Sequence, residues 1–218
     1  MKTDELIDRL GREVTVVTPL SAARVRTALW SIWAVMYLSI VAAVMFSTIG
    51  SVRVVPTPLY SLQQGAAFVT GLMAARAAFA SVIPGASHRA WVLPAVAATV
   101  WVALLLSAGV LDLRASGTLG LAAESDWPCV ASMTMGGMVV GLPLLWMVRR
   151  GAPLTPRTTA VLGGLAALSI ANIEACLTRP HTFAMTVLLW HGATIAGVAT
   201  LCALMGRRWL RWPTVTVR

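Results

Sequence analysis

The sequence predicts an all-α fold: a polytopic membrane protein, built as a bundle of six transmembrane helices behind a short N-terminal cytoplasmic amphipathic segment. Three observations carry this reading. Of 218 residues, 58% are hydrophobic and only 11% charged, whereas a soluble domain carries about 25% charged residues. The apolar residues come in long blocks, and the mean hydropathy is +0.79. The basic residues collect in the short segments between those blocks, which is where topology signals sit.

Residues 1–27 are the one sizeable polar segment. Thr3 is placed to cap a short helix with Asp4 and Glu5 in its first turn, at the positive end of the helix dipole. Leu6, Ile7 and Leu10 fall on one face of that helix, and Gly11 weakens or ends it. So short a helix is marginal alone in water. It reads as a segment that orders on a partner or lies on a lipid surface. The first apolar run starts near Ala28, behind a leader with both charge signs, and so reads as a first span rather than a signal-peptide core.

A bilayer core of ~30 Å needs about 20 apolar residues in a helix. Six stretches meet that length or come near it: 28–49, 60–83, 90–110, 127–148, 158–177 and 183–205. Turn residues separate them, including Pro56 and Pro58, Pro84 with Gly85, Gly117, Gly151 with Pro153 and Pro156, and Pro180. Residues 28–206 thus form one membrane domain, and 207–218 form a basic tail.

With the N-terminus inside, the cytoplasmic segments hold Lys2, Arg9, Arg12, Arg24, Arg26, Arg89, Arg149, Arg150, Arg157, Arg207, Arg208, Arg211 and Arg218. The opposite face holds Arg53, Arg114 and Arg179, and Arg76 falls inside the second span. This bias predicts both termini in the cytoplasm. Trp30, Trp33, Trp91, Trp127, Trp146, Trp209 and Trp212 lie near span ends, as expected of interfacial anchors. Gly137 and Gly141 give the fourth span a small-xxx-small spacing for close helix approach. A net charge of +9 and a pI near 11.2 would suggest nucleic acid in a soluble protein. Here the charges are dispersed over loops rather than pooled into a phosphate-tracking patch, which argues against direct nucleic-acid binding.

The same topology gathers chemically soft residues at the outer face. Cys129 opens the fourth span there, Glu174 and Cys176 close the fifth, and His181 follows in the next loop. His191 lies further down the sixth span, and Met133, Met135 and Met138 occupy the outer half of the fourth. Cys202, near the cytoplasmic end, is too distant to join them. Two thiols on the oxidising side of a membrane suit a reversible disulfide. Thiolate and imidazole equally suit a soft metal ion, copper or zinc, held between helices by Cys129, Cys176 and His181. Each residue also has a plain packing role open to it.

Several features together resemble the NrsF family of membrane anti-sigma factors. They are the opening Met1-Lys-Thr-Asp-Glu-Leu-Ile7, Pro84-Gly85 after the second span, the isolated Cys129 and the run Cys176-Leu-Thr-Arg-Pro-His181. Trp190-His191-Gly192 and the tail Gly206-Arg-Arg-Trp-Leu-Arg-Trp212 complete the set. The resemblance covers essentially the whole chain. It implies a regulator, not an enzyme, that holds an ECF sigma factor of the sigma F-like type at the membrane and releases it on metal or oxidative stress. It further implies Cys129 and Cys176 as the paired cysteines of the sensor, with His181 and His191 beside them. The leader, through Leu6, Ile7 and Leu10, would be the sigma contact. The alternatives weighed against this are a small metal-permeating transporter and a thiol-quinone oxidoreductase. The first wants polar residues through the full bilayer depth and the second a closely spaced cysteine pair.

Overall fold

In the computed structural model, which describes residues 3–13, 20–49, 57–83, 85, 89–119, 127–151, 153–178 and 183–210, every regular element is a helix. They are α1 (Thr3–Glu13), α2 (Ala23–Ile49), α3 (Pro58–Ala80), α4 (Arg89–Ser116), α5 (Trp127–Arg149), α6 (Pro156–Thr178) and α7 (Ala184–Trp209). The expected spans and the observed helices coincide closely. The main difference is α4, which runs on to Ser116 because its last turns remain helical beyond the apolar block. The Ser116 hydroxyl donates to the Asp112 carbonyl, and Gly117 then ends the helix at φ 70°.

Five helices, α2 and α4–α7, are long and apolar enough to cross a membrane. The remaining bundle helix, α3, has 23 residues and matches them in length. Gln63, Gln64 and Arg76 make it less apolar, and packing shows why that is tolerated. Helix α3 lies between α4 and α6, with Ala67, Ala74, Ala75, Ala78 and Phe79 fully buried. Its Gln63 amide donates to the Leu104 carbonyl of α4 at 3.2 Å. Thr57 caps its start, accepting from the Tyr60 N–H at 3.2 Å, and Pro58 occupies the first turn.

The centre of the bundle is α6, whose residues from Ala166 to Cys176 are all buried. It packs against α3, α5 and α7, while α2 joins from the side against α3, α5 and α6. Small residues set the spacing. A methyl group on Gly71 would stand 3.2 Å from the Ala166 carbonyl oxygen, and one on Gly206 would stand 2.8 Å from that of Pro156. Close backbone approach of this kind is the main source of helix association in lipid.

Two distinct ends result. At one, the Ser81 and Thr159 hydroxyls join α3 to α6 at 2.7 Å, and Arg26 of α2 reaches the Phe79 carbonyl of α3 at 2.9 Å. At the other, the Ala184 N–H that opens α7 donates to the Asp112 carboxylate of α4 at 2.8 Å. Alternation of the helices places Cys129, Glu174 and Cys176 at this second end.

Two residues expected at the lipid interface have other roles. Trp30 is buried, and its indole donates to the Val140 carbonyl of α5 at 3.0 Å. Trp33 donates to the Val139 carbonyl at 3.2 Å. Pro143 explains this pairing, because a proline has no N–H for the carbonyl four residues earlier, which here is Val139. The indole of α2 supplies the missing donor, as unsatisfied backbone within a bilayer requires.

Candidate functional site

Helices α5, α6 and α7 converge at the second end on a chain of polar groups in otherwise apolar surroundings. Cys129, in the first turn of α5, is completely buried beside Met133, Ala175 and Ile195. Its Sγ lies 2.8 Å from Nε2 of His191, which is also buried. His191 Nδ1 in turn lies 2.6 Å from Oδ1 of Asn172. An amide oxygen only accepts, so Nδ1 is the protonated nitrogen. In the neutral ring Nε2 is then the acceptor, and the Cys129 thiol donates to it. Asn172 thereby orients the ring and would stabilise the imidazolium if the thiol proton crossed to Nε2, the arrangement by which a paired histidine activates a cysteine.

A second polar group lies close by. Glu174 is buried, and its Oε1 accepts from the Ser132 hydroxyl at 2.8 Å, while Oε2 has no hydrogen-bond partner. Gly136 makes room for it. A methyl group there would stand 2.9 Å from Glu174 Oε2 and 2.7 Å from the Tyr37 hydroxyl, so α2, α5 and α6 meet at this glycine.

The structure thus joins Cys129 to His191 directly. Cys176 is a buried thiol on α6, next in the chain to Ala175 of the Cys129 cluster, and packs in the main core with Tyr60. Cys202 is a buried thiol against Gly164, toward the opposite end of α7. Met133 packs on Cys129, whereas Met135 and Met138 point outward and are not part of the site. His181 lies outside the described residues. Among the described residues, no three His, Cys, Asp or Glu side chains stand together as a metal site. Cys129 and His191 are two soft donors in contact, and a metal would require a further donor.

Asn172 was not singled out by sequence reasoning, although a signal was present. It is the chain's one asparagine, and it falls within an apolar span, where a polar side chain is expected to serve packing or function.

At the N-terminus, α1 carries an exposed ion pair between Asp8 and Arg12 at 3.6 Å, and among the described residues no other helix packs against it. Ile7 is 61% exposed. The side chains of Leu6 and Leu10 are outside the described set.

The class of protein is therefore a helical membrane protein with a buried thiol–imidazole–amide site at one end and a detached amphipathic helix at its N-terminus. Residues 10–212 match the family model NrsF, negative regulator of sigma F, and the chain belongs to that family. No curated protein and no solved structure matches it.

Proposed function

We infer that this protein is an anti-sigma factor that holds an ECF sigma factor, of the sigma F-like type, at the bacterial inner membrane and releases it when the outer thiol site reacts. The family supplies the sigma factor as partner. The observation that carries the tethering half is α1, an amphipathic helix that no bundle helix covers and that leaves Ile7 open. In this reading Leu6, Ile7 and Leu10 form the docking face, since such a helix gains most of its stability from the groove it enters.

Six spans with both termini cytoplasmic fit best. The α3 helix has the length of its neighbours and is packed between them, and most of the basic residues then fall on one side. The outer site is the sensing half. Cys129 reacts as a thiolate after passing its proton to His191, with either of two outcomes. An oxidant would accept two electrons as the Cys129 and Cys176 thiols form a disulfide, their two protons passing to His191 and then to solvent. A soft metal, copper or zinc, would instead take the Cys129 and Cys176 thiolates and His181 as ligands, with the thiol protons released to solvent. Each product alters how α5 and α6 pack, and α2, which packs on both helices and follows the α1 segment in the chain, transmits the change. Release requires the reacted site to favour the releasing arrangement over the holding one.

Capture of a co-expressed sigma F-type factor by full-length protein in detergent tests the tether. Ile7→Asp is expected to abolish capture. Undiminished capture with residues 1–25 deleted would remove α1 from the account.

A further inference from the structure

Arg26 was counted among the topology signals, yet the structure buries it. Only 3% of the residue is exposed. Its Nε donates to the Ser21 carbonyl at 3.1 Å and Nη2 to the Phe79 carbonyl at 2.9 Å, and the guanidinium lies 5.1 Å from the centre of the Phe79 ring. Nη1 has no partner and is sealed from solvent. Among the described residues no carboxylate forms an ion pair with it. Of the described acidic residues beyond α1, Asp112 and Glu174 stand toward the opposite end of the bundle. A buried cation with only neutral acceptors is costly unless an anion completes it.

Arg26 also lines a cavity of about 330 Å³ between α2 and the last turns of α5. Arg150 stands on its rim, with its guanidinium stacked 3.7 Å from the centre of the Trp146 ring. Apart from Ser21 the remaining wall is apolar or aromatic, including Leu29, Trp33 and Pro143. Leu29 and Trp146 are 56% and 58% exposed on the flank that faces lipid. The cavity thus has two cations at its basic end, no acidic residue among its described lining and an apolar side open along the helices.

We propose that this cavity binds one anionic phospholipid, its phosphate on Arg150 and facing the enclosed charge of Arg26, and an acyl chain along Leu29, Trp33 and Pro143. Arginine is suited to a phosphate because its planar donors match the oxygens in pairs. Tryptophan belongs at the headgroup level. With this end cytoplasmic, the site faces the leaflet that is rich in anionic lipid. A soluble phosphate would use the two arginines but not the apolar flank, and charge together with that flank favours the lipid. The site stands where the leader enters the bundle, so an occupying lipid would brace α2 against α5.

Native mass spectrometry of the full-length protein in detergent, titrated with phosphatidylglycerol or with phosphatidylcholine of the same chains, tests this. One phosphatidylglycerol is expected to be retained in preference to phosphatidylcholine. Arg150→Gln should weaken it about fivefold, the effect expected for one basic residue at an anionic surface. Arg26→Gln should abolish the preference, and because Arg26 also ties Ser21 to Phe79, Arg150→Gln decides if that variant does not fold. Equal retention of the two lipids, or retention unchanged in Arg150→Gln, would overturn the proposal. So would displacement of the lipid by millimolar inorganic phosphate, which would make the site one for free phosphate.

Discussion

Cys129 Sγ and His191 Nε2 lie 2.8 Å apart in the interior of the bundle, joining the start of α5 to the eighth residue of α7. The contact works as a proton acceptor for the thiol only while the ring is held in one tautomer, and Asn172 holds it. A cysteine enclosed by Met133, Ala175 and Ile195 would otherwise be inert.

Thiol reactivity should therefore depend on both partners. In a Cys176→Ser, Cys202→Ser background only Cys129 remains, and methyl methanethiosulfonate, a small uncharged reagent, reports its rate. His191→Phe is expected to slow labelling about tenfold or more, and Asn172→Leu by a smaller factor in the same direction, given ~1.5–3 kcal/mol for a hydrogen bond to a charged group. Equal rates in all three proteins would leave the chain of contacts as packing alone.

Gly136 should be intolerant of any side chain. Its added methyl would meet both the Tyr37 hydroxyl and Glu174 Oε2 inside van der Waals distance. Gly136→Ala is expected to destabilise the bundle by ~1–3 kcal/mol, the usual cost of overpacking. At Gly197 a methyl meets nothing within 4 Å, so Gly197→Ala should be neutral. Thermal unfolding of both variants in the same detergent provides the comparison.

The Trp33–Val139 bond should matter only while Pro143 is present. In the native chain Trp33→Phe leaves the Val139 carbonyl without its donor, at a cost of ~1–3 kcal/mol. Pro143→Ala restores the helical N–H, so the same Trp33 change should then cost markedly less. A double-mutant cycle on unfolding free energy measures the difference, and additive effects would contradict it.

These details mark the boundary of what the chain discloses by itself. Helix type and helix positions were legible because apolar blocks bounded by turn residues are one-dimensional signals. The meeting of Cys129 with His191 was legible only as a shared depth, since rotation of each helix about its axis is set by packing. That rotation brought in Asn172 and turned Met135 and Met138 outward. It also drew Trp30 and Arg26 inward, where position near a span end had suggested an interfacial anchor and a topology signal. The close glycine contacts at Gly71, Gly136 and Gly206 belong to the same class, because each depends on which residue a neighbouring helix presents.

Topology has its own test. Five membrane crossings would place the two termini on opposite sides, and six place them together. Fluorescent-protein and alkaline-phosphatase fusions after residue 218 should report a cytoplasmic C-terminus. Reporter fusions between α2 and α3, in the segment holding Arg53, should report the periplasm. A periplasmic C-terminus would remove α3 as a span.

The central claim is that chemistry at the outer thiol site controls the hold on a sigma factor at the inner face. Its most direct measurement is release of a co-purified sigma F-type factor from full-length protein in nanodiscs, before and after exposure to a thiol oxidant or to a soft metal ion. Release is expected from the native protein, and retention in Cys129→Ser and in Cys176→Ser. Release that proceeds equally in both cysteine variants would contradict it.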